Sequence, residues 1–194
     1  MKKTLTAVSV VAASLFGIAS AQTTGTEVQR NANQQQRIEQ GLESGALGTK
    51  EAAKLEKGEA RIERLEASAN KDGKLSDAEK ARIQKAQNAQ SKDIARLKHN
   101  DRTGNPDSAS SRRMQADVQR NLNQQNRIEQ GVKSGELTKH ETAKLERGQA
   151  RVDFAEARAG ADGHVGGNEQ KRIQARENRQ SKRVFKEKHD AQTQ

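Results

Sequence analysis

The stretch VQRNANQQQRIEQG at residues 28–41 returns as VQRNLNQQNRIEQG at 118–131, and the offset of 90 then holds to the end of the chain. KLEKGEAR (54–61) is answered by KLERGQAR (144–151), Asp72-Gly73 by Asp162-Gly163, and Lys98-His99 by Lys188-His189. A supersecondary unit written twice restricts the chain to architectures built from two like modules.

Inside each unit the apolar residues recur at helical spacing. Val28, Ala32, Ile38 and Leu42 mark a first helix over about 27–43; Ala52, Leu55, Ile62, Leu65 and Ala69 mark a second over 49–69; Ile83, Ala86, Gln90, Ile94 and Leu97 mark a third over 76–100. The second unit repeats the trio over about 117–133, 138–159 and 168–189. Pro106, the sole proline, lies in RTGNPDSASS (102–111), a linker signal. The expected fold is therefore all-α: two tandem three-helix modules, 26–101 and 116–190, joined by a linker at 102–115, with EF-hand-like helix-loop-helix turns. The modules either stand apart or pair as one antiparallel bundle; the spacing leaves both open. The Gln and Asn positions Asn31, Gln34, Gln35 and Gln90 are expected to face solvent, with weak helix pairing, or pairing with a partner, as the alternative.

Residues 1–21 carry Lys2 and Lys3, an apolar run from Leu5 to Ile18 and a small-x-small exit at Ala19-Ser20-Ala21. That layout predicts a secretory signal cleaved after Ala21 and a periplasmic or secreted protein without a transmembrane anchor. With no cysteine, no disulfide framework is available. Hydrophobic residues make up 30% of the chain, with no Trp or Tyr, so little apolar area is available for burial and thin helical units are expected.

The junction before the third helix has the spacing of a calcium loop. With Gly73 at its sixth position, Ser68, Asn70, Asp72, the Lys74 carbonyl, Ser76 and Glu79 fall at the ligand positions, and Ca2+ is the expected cofactor. In the second unit Arg158 and Gly160 replace Ser68 and Asn70, which should exclude a dication. The same residues also read as capping boxes, Ser76 with Glu79 and Thr138 with Glu141. The succession SG-x-L-T-x-x-E, KLE-x-G-x-A-R and DG-x-x-x-x-x-E resembles uncharacterised secreted proteobacterial helical proteins with degenerate EF-hand-like loops. The resemblance implies helix-loop-helix turns and brings no activity.

The last helix is basic. Arg172, Arg176, Arg179, Arg183 and Lys186 are spaced 4, 3, 4 and 3, which sets them on one face. Such a row suits a polyanion or an acidic protein partner at the cell envelope, whereas the absence of stacking aromatics disfavours nucleic acid. No nucleophile elbow, zinc motif or phosphate loop is present, so no enzyme is expected. His99 and His189 end their helices and suit the helix dipole there; His164, with Asp162 and Glu169, is a minor transition-metal candidate. The expected function is non-enzymatic binding: of Ca2+ through the 68–79 loop, or alternatively of an acidic partner through the basic helix.

Overall fold

The computed structural model describes residues 16–190, with side chains from Thr24 onward. The charged head and most of the apolar run of the expected signal lie outside the described residues. Six helices are present: α1 (Phe16–Glu43), α2 (Thr49–Ala69), α3 (Asp77–Lys98), α4 (Ala109–Ser134), α5 (Lys139–Ala159) and α6 (Gly167–Lys188). No strand occurs among the described residues, and none of these helices is long and apolar enough to cross a membrane. The bounds of α5 and α6 fall 90 residues after those of α2 and α3.

Two helices start earlier than their apolar spacing suggests. α1 runs from Phe16, well ahead of the start expected at about residue 27. α4 begins inside the expected linker because Ser108 caps it, its hydroxyl accepting from the Ser111 amide at 3.0 Å. Ser110 then accepts from the Val165 amide at 2.8 Å, and Met114 is fully buried, so the start of α4 is fixed from outside the helix. The remaining linker is docked rather than free: the Gly104 amide donates to the Gly45 carbonyl at 2.7 Å.

α2 packs chiefly on α5 and α1 on α4, while α3 and α6 flank them. Both central pairs are antiparallel. Gly160, past the end of α5, lies against Thr49 and Ala53 at the start of α2, and Lys139 at the start of α5 reaches the Gly73 carbonyl past the end of α2. Likewise Gly25 of α1 faces Val132 near the end of α4, and Gln115 near the start of α4 donates to the Leu42 carbonyl. The two halves thus interdigitate as one bundle.

Its apolar core is split. One cluster, including Ile38, Leu42, Leu55, Ile94, Met114 and Ile173, fills the end where α2 starts. A smaller one, Val28, Ile128, Val132, Leu137, Leu145 and Val184, fills the other. Between them the interior is polar.

Candidate functional site

That polar middle is built on α2. Glu56, Glu59, Glu63 and Glu66 are spaced 3, 4 and 3, so they form one stripe down the helix, and all four are buried. Lys54, Lys57, Arg61 and Arg64 occupy the opposite, exposed side. On α5 the residues 90 positions on are Glu146, Gln149, Asp153 and Glu156, also buried. The antiparallel α2–α5 contact sets these two stripes face to face. One oxygen each of Glu56, Asp153 and Glu156 lie within 4.8 Å of one another.

Amides from the neighbouring helices hold most of these carboxyls by one oxygen, and Glu66 by both, its Oε1 accepting from Gln87 at 3.0 Å. Gln35 donates to Glu56 Oε2 at 3.0 Å, Gln90 to Glu59 Oε1 at 2.9 Å, and Asn31 to Glu66 Oε2 at 2.6 Å. Asn121 donates to Asp153 Oδ1 at 3.1 Å and Glu156 Oε2 at 2.7 Å; Gln125 donates to Glu63. The other oxygen is left without a hydrogen-bond partner in Glu56, Glu59 and Glu156, while Glu63 and Asp153 lie close enough across the seam to share a proton. The amide oxygens of Gln35, Gln125 and Gln149 are buried and unpartnered as well. Side chains fixed through one atom, with a second oxygen free in the interior, have the form of cation ligands oriented by an outer layer of hydrogen bonds.

The charge balance is one-sided. Twelve acidic side chains are buried among the described residues, and no Lys, Arg or His is. One of the twelve, Glu177, has an ion-pair partner: Arg120, 3.3 Å away at the edge of the seam. Burial of a carboxyl disfavours its anion, and nearby carboxylates disfavour it further. Burial pushes Glu56, Glu63, Glu66 and Glu156 well above the usual range, reinforced by Asp153 for Glu56 and Glu63, by Glu146 for Glu66, and by Glu56 for Glu156. Burial also drives Glu59 up, against the hydrogen bond from Gln90. Glu146 and Glu177 are pushed up to about 8, and Asp153 to about 7.

The loop expected to hold Ca2+ is arranged differently. Gly73 has φ +73°, the left-handed turn that the spacing requires. Asp72 Oδ1 accepts from the Lys74 amide at 3.0 Å, and Glu79 Oε2 accepts from the Ser76 amide and hydroxyl at 2.9 and 2.6 Å. Asn70 is buried and turned back onto the helices: it accepts from the Thr24 hydroxyl and donates to the Glu66 carbonyl. Ser68 and Lys74 are exposed. The loop therefore brings Ser76 and Glu79 together as a helix cap, beside an Asx turn at Asp72. In the second loop Asp162 accepts from the His164 amide at 2.8 Å and Glu169 caps Gly166 at 2.8 Å. His99 and His189 contact the carbonyls of Ala95 and Phe185, one turn back at their helix ends.

Arg172, Arg176, Arg179, Arg183 and Lys186 are all exposed along α6. Asn31, Gln34, Gln35 and Gln90, expected at the surface, are buried; Asn31, Gln35 and Gln90 serve as the carboxyl holders just described, and Gln34 donates to the Gln87 carbonyl and the Ser91 hydroxyl. The amide side chains were misplaced because polarity alone assigns them to water. The glutamate stripe carries a signal that apolar spacing overlooks: acids at 3-4-3 spacing that return 90 residues later as Glu146, Gln149, Asp153 and Glu156.

No protein-family model, curated protein or solved structure matches the chain.

Proposed function

We propose that this is a non-enzymatic helical protein that binds hard divalent cations in its interior, exported from the cell as its N-terminal sequence suggests. Two copies of one helical unit, each keeping EF-hand-like turns, meet along α2 and α5 to form the binding seam. The observation that carries the reading is the set of twelve buried acids with no buried cation among the described residues. Without an ion these groups keep protons, at a cost in buried polarity that an apolar core would not incur. A divalent ion would displace the protons and take up the free oxygens. Glu56, Asp153 and Glu156 form the nucleus of the site, with the amide oxygens of Gln35, Gln125 and Gln149 as candidates to complete it. An all-oxygen donor set without cysteine selects Ca2+, Mg2+ or Mn2+ over soft metals.

The test is a calorimetric titration with each ion at about pH 8 in two buffers of different ionisation heat, so that proton release is counted directly. Saturable binding with proton release is expected in the wild type. It should vanish in Glu56→Gln/Asp153→Asn and persist in Asp72→Ala/Glu79→Gln, which alters only the 68–79 loop. The reverse pattern would place the ion in the loop, and no heat from any of the three ions would remove the reading.

A further inference from the structure

A pocket of about 350 Å3 opens on the surface where α2, α5 and α6 meet, and five arginines line it: Arg64, Arg151, Arg158, Arg172 and Arg176. The one acid in its wall, Glu169, is committed to capping α6 through the Gly166 amide. None of the five guanidinium groups has an ion-pair partner among the described residues. Phe154 forms part of the wall, and the Arg64 guanidinium stacks over its ring at 5.1 Å, which orients that side chain.

The comparison between the halves sharpens the point. Ninety residues before Phe154, Arg158 and Arg176 stand Arg64, Ser68 and Ala86. The second half has several cations that the first lacks, Arg179 and Arg183 outside the pocket among them, and two, Arg158 and Arg176, lie in this one pocket, together with its aromatic wall.

We propose that this pocket binds a compact oligophosphate anion of the diphosphate or triphosphate kind. Five guanidinium groups against one carboxylate leave a local charge that matches three to four negative charges on the ligand, and planar guanidinium forks take phosphoryl oxygens two at a time. The volume suits a small ligand rather than an extended strand. The site is independent of the buried seam: it lies at the surface and carries the opposite charge.

The experiment titrates pyrophosphate and tripolyphosphate into the full chain by calorimetry at low and moderate salt, with inorganic phosphate for comparison. Arg158→Ser/Arg176→Ala installs the residues that the first half carries at the same positions, so the helices should be retained, and circular dichroism checks this. Arg179→Gln/Arg183→Gln removes as much charge from α6 outside the pocket. Saturable binding of about one anion per chain is expected, weakened at least about tenfold by the pocket pair and less than about twofold by the outer pair. Equal losses in the two variants would reduce the effect to the basic face as a whole, and no saturable binding would end the proposal. A parallel assay with vesicles containing phosphatidic acid separates the sources of the phosphate group. Vesicle binding that depends on Arg158 and Arg176, with no response to free oligophosphate, would overturn the soluble ligand in favour of a lipid headgroup.

Discussion

Asn121 shows how much of the interior rests on single amides. Its nitrogen holds both Asp153 and Glu156, and its oxygen accepts from Gln149 at 2.8 Å. Replacing it by Ala leaves three buried polar groups short of a partner, so Asn121→Ala should lose about 1–3 kcal/mol in urea unfolding. Because it orients two of the three clustered carboxyls, the same change should weaken cation binding by about 10–100-fold. Asn31 has the corresponding role at Glu66, accepting from Gln87 as well. At this scale the apolar anchors were legible: Val28, Ile38, Leu55, Ile83 and Ile94 are buried as their spacing implied. Buried amides and acids were not, because a polar side chain in the core is stable only through partners on other helices, and sequence spacing within one helix does not reveal them.

Helix positions follow from capping and periodicity, both local, and so α2, α3, α5 and α6 fall within two residues of their expected bounds. How the helices approach each other depends on two glycines that spacing did not mark. A Cβ on Gly58 would stand 2.0 Å from Gln90 Oε1, and one on Gly148 the same distance from Gln180 Oε1. These glutamines lie flat against the neighbouring helix and donate to the Leu55 and Leu145 carbonyls at 2.9 and 2.8 Å. Gly148→Ala should therefore swing the Gln180 amide off the Leu145 carbonyl and cost about 1–3 kcal/mol through that lost buried hydrogen bond, despite the better helix propensity of Ala. Thermal melts of Gly148→Ala beside Gly167→Ala, where no atom lies within 4 Å, separate the two effects. The pairing of α2 with α5 was not legible because its seam is acidic, and a face of like charges gives no apolar signal for association.

Over the whole molecule the buried acids fix how stability responds to pH. Glu146 and Glu177, at about 8 in the folded protein, and Asp153, Asp117 and Glu27, at about 7, return to the ordinary carboxylate range of about 4 on unfolding. Between those limits the folded chain binds more protons than the unfolded one, so stability falls as pH rises. The contribution of these groups is complete below about pH 4 and is lost as pH climbs through 7 to 8. The metal-free protein should unfold at a higher temperature at about pH 5 than at about pH 8, contrary to the usual behaviour of salt-bridged carboxylates. A divalent cation bound in the seam should restore the lost stability at the higher pH, flattening the profile. Melting curves at several pH values with chelator and with excess Ca2+ or Mn2+ test both statements.

Glu56 belongs to the first half of the chain, Asp153 and Glu156 to the second, and antiparallel helix pairs hold them together. The stretch of sequence that recurs is therefore shorter than the smallest piece that can assemble the cluster. Severed in the turn around Gly104, each fragment would keep its helices' sequence signals yet carry an incomplete set of ligands, and mixing the two fragments would be the only way to bring the three carboxyls back within reach of one another.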